Sequence, residues 1–166
     1  MPSKINSGLF TSNQNDWCTP PEFLDRVRRH LGIIGLDPCT NDNAVTNAME
    51  SWGIDDRSLF RSWEGYGLVY VNPPYGDILT WAAKLAAEGG AMDRAEIVAL
   101  LPSRTDTAWW HDYIVPTANA IAFIRGRLRF LGAPSSAPFP STVAYWGRRI
   151  TKFEMCFEDT AWIVRK

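Results

Sequence analysis

The tetrapeptide Asn72-Pro73-Pro74-Tyr75 offers the most specific chemistry in the chain. Two consecutive prolines fix φ and remove two N–H donors, leaving a rigid stretch that sets an Asn side-chain oxygen beside a main-chain carbonyl. A pair of acceptors without donors suits a planar exocyclic NH2 group, whose lone pair is delocalised into its ring or carbonyl. Two acceptors drawing its hydrogens toward a tetrahedral arrangement localise that lone pair, and Tyr75 adds a flat face on which a ring can stack. An NH2 group held in this way can attack a methyl sulfonium in line. No general base is needed before transfer, because the product cation sheds its proton readily.

Such a segment has to be presented by a strand end. Leu68-Val69-Tyr70-Val71 is an apolar, largely β-branched run stopped by Asn72-Pro73-Pro74, so it reads as a central parallel strand. Two other predicted strands, Ile33 to Asp37 and Glu96 to Leu101, run into Pro38-Cys39 and Pro102-Ser103-Arg104-Thr105-Asp106. Ligands of open α/β sheets lie outside the carboxyl ends of the strands, so all three segments fall on one edge. Helices are expected at 20–31, from Asp77 to Gly89-Gly90, and at 107–115; the first is opened by Thr19 as N-cap, prolines at the first positions and a capping-box Glu22. Ala120 to Ile124 is a further strand. Strands alternating with helices give an α/β sheet, mostly parallel and covered on both faces. The runs 128–130, 142–146 and 161–164 read as strands that finish it antiparallel at a C-terminal edge, and 40–67 shows no clean period.

The 166 residues set a single domain, 1–166, with 1–15 a loosely ordered arm and no room for a separate target-recognition domain. An apolar share of 46% with 21% charged residues excludes disorder, and no apolar run reaches membrane-spanning length. Eight Trp in a chain this short are expected mostly in the core. Three scattered cysteines without a CxxC pair give neither a disulfide framework nor a metal site. With an N-terminus lacking the basic-then-apolar signal pattern, they place the chain in a reducing cytoplasm. The net charge of −1 conceals a segregation: between Tyr113 and Phe153 there are six cations (Arg125, Arg127, Arg129, Arg148, Arg149, Lys152) and no acid, leaving −7 elsewhere. A basic stretch beside the Gly/Pro/Ser loop at 132–141 is what a phosphate-tracking surface requires. With Leu128 and Phe130 between them, Arg127 and Arg129 are expected to project from one strand face.

The Asn72 segment resembles motif IV of the S-adenosylmethionine-dependent amino-methyltransferases. The ordered set around it resembles the phage-type DNA N6-adenine methyltransferase (Dam-like) family: Trp17-x-Thr19-Pro20-x-x-Phe23, Leu36-Asp37-Pro38-Cys39, Asn72 to Gly76, Leu101 to Asp106 with Trp109-Trp110-His111, and Gly126 to Phe130 followed by Pro138-x-Pro140-Ser141. The resemblance runs from about residue 16 to 145. It implies a Rossmann-like methyltransferase sheet, S-adenosylmethionine as cofactor, DNA as partner and adenine N6 as target. It further implies that Asn72 and the Pro73 carbonyl bind the target amino group, that Pro74 keeps the segment rigid, and that Tyr75 stacks on a flipped base. Asp37, Pro38 and Cys39 become the cofactor loop, Trp17 with Thr19 and Pro20 hold the cofactor's methionine end, and Asn72 borders both ligands. The acid for the cofactor's ribose or adenine is Asp42, Asp55 or Asp56. The DNA-facing cations are Arg104, Arg125, Arg127, Arg129, Arg148 and Arg149.

Two other readings stay open. The same amide-activating geometry serves a protein glutamine methyltransferase of the release-factor type, against which the basic stretch argues. A non-catalytic DNA-binding relative would keep the fold without turnover, but has no reason to retain Asn72 beside Tyr75.

Overall fold

The computed structural model describes residues 17–91 and 95–166. In chain order the elements are α1 Pro21–Leu31, β1 Ile34–Asp37, β2 Glu50–Ser51, β3 Leu68–Val71, α2 Ile78–Gly90, β4 Glu96–Pro102, a π-helical turn Trp110–Ile114 that runs into α3 Val115–Thr117, β5 Ala120–Ile124, β6 Ser141–Trp146, α4 Ile150–Phe157 and β7 Ala161–Arg165. The expected N-terminal arm lies outside the described residues.

The strands form one seven-stranded sheet in the order β2-β1-β3-β4-β6-β5-β7. From β2 to β4 all pairings are parallel, and from β4 onward all are antiparallel. The expected α/β class with an antiparallel C-terminal side is what the molecule has. One detail differs: β6 inserts between β4 and β5, so β5 points the same way as β4 while β6 and β7 reverse.

Alternation along the strands divides the core in two. Leu68 and Tyr70 of β3 face the layer made by α1 and α4, with Phe23, Leu24, Val27, Phe153 and Phe157. Val69 and Val71 face α2 and the π-helical turn, with Trp81, Leu85, Trp110 and Ile114. Both faces are covered, which is why β3 and β4 are near-continuous apolar runs. Six of the eight Trp are buried. Close packing explains two glycines: a Cβ on Gly35 would lie 1.8 Å from the Tyr66 carbonyl oxygen, and one on Gly89 would lie 2.3 Å from the Trp146 ring. Gly89 therefore sits inside α2, where it lets the helix approach the sheet, and the helix runs to Gly90.

Three local expectations change. Leu128 to Phe130 is not a strand: after Gly126, at φ 79°, the chain leaves the sheet and Phe130 is buried against Trp17, ring centroids 5.0 Å apart. Arg127 and Arg129 consequently share no strand face. The stretch 150–157, notable in the sequence only for its charge, is α4, and β2 was not expected. The N-cap of α1 is Pro20 with no side-chain cap bond, so Thr19 does not cap the helix.

The irregular 40–67 segment is tied down by polar groups. The Trp52 N–H donates to the Asp37 carbonyl at 2.8 Å and the Thr40 N–H to the Trp52 carbonyl at 3.0 Å. Glu88, buried on α2, accepts from the Trp63 N–H at 3.1 Å and from Lys84 at 2.6 Å, and Lys84 also donates to the Arg61 carbonyl. These bonds hold both walls of a cleft above β1 and β2.

Candidate active site

The carboxyl ends of β1, β2 and β3 open into a cleft of about 940 Å³. Its lining includes Trp17, Thr19, Asp37, Pro38, Cys39, Asp42, Asp55, Asp56, Asn72, Pro73 and Pro74. Sequence alone assigns all of these to one site from four separated stretches, and the fold brings them together. Tyr75 and Pro20 do not line the cleft: Pro20 is buried at the head of α1, and Tyr75 points to the other side of the segment.

Asn72 is held through both ends of its amide. Its Nδ2 donates to the Trp17 carbonyl and to Thr19 Oγ1 at 3.2 Å, while its Oδ1 accepts from the Tyr75 hydroxyl at 3.2 Å. A main-chain carbonyl can only accept, so the amide edge toward Trp17 must be the NH2 and the oxygen must be turned away from it. Beside it, the Pro74 carbonyl accepts from the Asp77 N–H, and no described residue donates to the Pro73 carbonyl. Asn72 Oδ1 thus has one lone pair to spare, and the carbonyl of the next residue, Pro73, accepts from no described residue.

Around this pair, proton-accepting groups are suppressed. Burial pushes the Cys39 thiol well above its ordinary range, with the Asp37 charge adding to the effect. Burial likewise raises Tyr75 and Tyr70. Neither the thiol nor the two hydroxyls is poised to take a proton near neutral pH. Asp37 is itself raised, chiefly by burial, against opposing bonds from Thr46 and Cys39. Its oxygens accept from the Cys39 N–H at 3.1 Å and Thr46 Oγ1 at 2.5 Å, so it shapes the loop after β1. Of the three candidate acids, Asp56 accepts from the Gly53 N–H at 2.6 Å. Asp42 and Asp55 are exposed on the cleft wall, with no partner among the described residues.

On the far side of Asn72 lies an aromatic cluster that the sequence pattern does not assemble. The Tyr75 ring meets Phe139 nearly edge-on at 5.4 Å, and Trp17 meets Phe139 at 5.7 Å and Phe130 at 5.0 Å. Phe130 and Phe139 come from the chain between β5 and β6. Leu131 of that chain donates its N–H to the Cys18 carbonyl at 2.8 Å. Tyr70 is a second site residue missing from the sequence-based set: its hydroxyl bonds Thr19 Oγ1 at 2.8 Å inside the core. A phenol in the middle of an otherwise aliphatic buried strand is the signal that could have flagged it, because its hydroxyl needs a partner.

The cations divide between the two ends of the sheet. Arg104 follows β4, and Arg125, Arg127 and Arg129 follow β5, all exposed at the same end of the sheet as the cleft and none of them lining it. Arg129 also donates to the Ala133 and Pro134 carbonyls at 3.3 and 3.4 Å, closing its own loop. Arg148 and Arg149 are not part of that surface. They follow β6, which runs the opposite way, so they emerge at the other end of the sheet. There Arg149 pairs with Glu96 at the start of β4 and donates to the Leu31 carbonyl at 2.9 Å.

Among the described residues no helix is long and apolar enough to cross a membrane, and no group of three or more His, Cys, Asp or Glu could hold a metal ion. A family model described as DNA N-6-adenine-methyltransferase (Dam) matches residues 6–144. No curated protein matches the chain.

Proposed function

The chain belongs to the DNA N-6-adenine-methyltransferase (Dam) family, and from that premise we propose that it moves a methyl group from S-adenosylmethionine to the N6 of an adenine flipped out of DNA into the space beside Asn72. The observation that carries this reading is the fixed amide of Asn72 in the lining of the cleft, whose oxygen keeps one lone pair and is followed in the chain by a Pro73 carbonyl to which no described residue donates.

The cleft fits S-adenosylmethionine. Its volume is in the range of small-molecule sites, its walls mix apolar groups (Pro38, Leu59, Trp81) with polar ones, and two carboxylates with no partner among the described residues, Asp42 and Asp55, can accept from hydroxyl or amino groups of a nucleoside. No glycine-rich loop is present after β1. The turn held by Asp37, Cys39 and Thr46 takes its place, and Cys39 lies against the Asn72 backbone N–H. When bound, the cofactor supplies a methyl group on a sulfonium, whose sulfur leaves as a neutral thioether.

The protein's part is to hold and orient. Asn72 Oδ1 and the Pro73 carbonyl accept the two N6 hydrogens and localise the nitrogen lone pair, and Pro74 keeps the two acceptors in register. The raised cysteine and tyrosines leave proton removal to solvent after transfer. The flipped adenine stacks on Tyr75, whose neighbour Phe139 belongs to the 126–141 segment. That segment and Arg104, Arg125, Arg127 and Arg129 form the DNA surface, with the arginines on phosphates. Within these 166 residues, target recognition then rests on that short segment.

The test is to incubate the protein with methyl-labelled S-adenosylmethionine and either unmethylated DNA or a protein substrate, then digest and identify the product. Label in N6-methyladenine is expected. Label confined to glutamine, or DNA retained without any transfer, overturns the reading.

A further inference from the structure

Thr19 opens a stretch that resembles a cofactor-holding motif, and its sequence position suggests a helix cap; in the structure it lines the cleft and its hydroxyl does not cap the helix. It is buried, at 5% exposure, the N-cap position of α1 belongs to Pro20 without a side-chain bond, and its Oγ1 lies between Asn72 Nδ2 at 3.2 Å and the Tyr70 hydroxyl at 2.8 Å. Both partners are more than 50 residues away in sequence.

We propose that Thr19 is a positioning residue for transfer: anchored by Tyr70, it fixes the Asn72 amide so that its oxygen, and never its NH2, faces the target amine. The hydrogen-bond inventory of the amide makes the case. Of its two N–H groups, one is taken by the Trp17 carbonyl and one by Thr19, and of the two lone pairs on its oxygen, one is taken by Tyr75. A single acceptor position is left. Without Thr19 one part-buried N–H loses its partner, and the amide, held only by the Trp17 carbonyl and Tyr75, is free to swing its oxygen away from the position the amine requires. Tyr70 matters because it holds the Thr19 hydroxyl in one orientation inside the core. Trp17 and Cys18, which precede Thr19, are in turn fastened to Phe130, Leu131 and Phe139, so the orientation of the amide is linked to the segment that borders the base pocket.

The proposal rests on the reading of Asn72 as acceptor for the target amine, and its test separates the two. Turnover number, KM and equilibrium S-adenosylmethionine binding are measured for Thr19→Val, Thr19→Ser, Tyr70→Phe, Asn72→Ala and the Thr19→Val/Asn72→Ala double variant. Thr19→Val is expected to lower turnover by about tenfold or more with cofactor affinity within about twofold. Thr19→Ser should restore most of the loss. Tyr70→Phe, which keeps Thr19 in place, should lower turnover by a smaller factor and serves if Thr19→Val does not fold. In the double variant Thr19→Val should add nothing. A Thr19→Val or Tyr70→Phe loss that appears in cofactor affinity, full turnover in both variants, or equal losses in Val and Ser variants overturns the proposal. Retained turnover in Asn72→Ala instead overturns the underlying reading of Asn72.

Discussion

The two ends of the sheet are built from similar residue types and put to different use. At the opposite end from the cleft, Glu96 receives the Arg149 guanidinium and the Tyr145 hydroxyl, and Arg149 also reaches the Leu31 carbonyl, so charges and donors there satisfy one another. At the cleft's end, Asp42, Asp55 and the Pro73 carbonyl have no donors among the described residues, and Asn72 keeps one lone pair free. The first arrangement closes the structure, and the second leaves positions open for ligands. The direction of a single strand decides which arginine goes where: because β6 is reversed, one basic stretch of sequence is split between the two ends. Charge along a chain is therefore not charge on a surface.

The strongest test of this difference between the ends is DNA affinity. Replacing Arg125, Arg127 and Arg129 by Gln should weaken DNA binding by about 10- to 100-fold at low salt. The slope of log affinity against log salt should fall by about 0.9 for each phosphate that is no longer neutralised. A titration at several salt concentrations checks it; an unchanged slope removes these residues from the phosphates. Next comes the cofactor. Asp42→Asn and Asp55→Asn are expected to identify the acid that meets the cofactor, one of them raising its Kd by about tenfold, whereas Asp56→Asn acts mainly on its own turn. Equilibrium binding of S-adenosylmethionine reads this directly, and no change in either of the first two variants contradicts the role given to these acids.

At the other end, Arg149→Ala should cost about 1–2 kcal/mol of stability with DNA affinity within about twofold. Urea unfolding and the same DNA titration decide; weakened DNA binding in a stable variant would restore Arg149 to the DNA surface. The smallest effect expected is at Asp37. Burial raises its carboxyl in the folded protein, so its stabilising contribution is present below the pKa of the unfolded chain and is lost as pH rises through the raised folded value. Relative to Asp37→Asn, the wild type should gain stability as pH falls from neutral into the acid range. A constant difference across that window, measured by denaturant unfolding, removes the effect.

Much of the fold is legible in the sequence wherever a local pattern decides the outcome. The β-branched run before Asn72, the prolines that follow β3 and end β4, and the alternation of strands with helices are enough to place three separated segments on one edge. The DNA-methyltransferase resemblance rests on the same segments. What escapes depends on distant partners. The insertion of β6 between β4 and β5 is a matter of pairing, which residue types do not reveal. Leu128 to Phe130 looks like a strand, but Gly126 turns it out of the sheet and Trp17 covers Phe130. In α4, the apolar positions Ile150, Phe153, Cys156 and Phe157 carry a helical spacing that the neighbouring cations obscure. Thr19 has every mark of a helix cap, and only the approach of Tyr70 and Asn72 from far along the chain shows its hydroxyl serving something else.

Catalysis in this scheme depends on Asn72 acting on the target amine and not on the cofactor. The decisive measurement sets S-adenosylmethionine binding and single-turnover methyl transfer side by side on Asn72→Ala, with folding confirmed by its unfolding transition. Cofactor affinity should stay within about threefold of wild type while transfer to adenine falls by about a thousandfold or more. Undiminished transfer, or a loss wholly explained by weaker cofactor binding, would contradict that role.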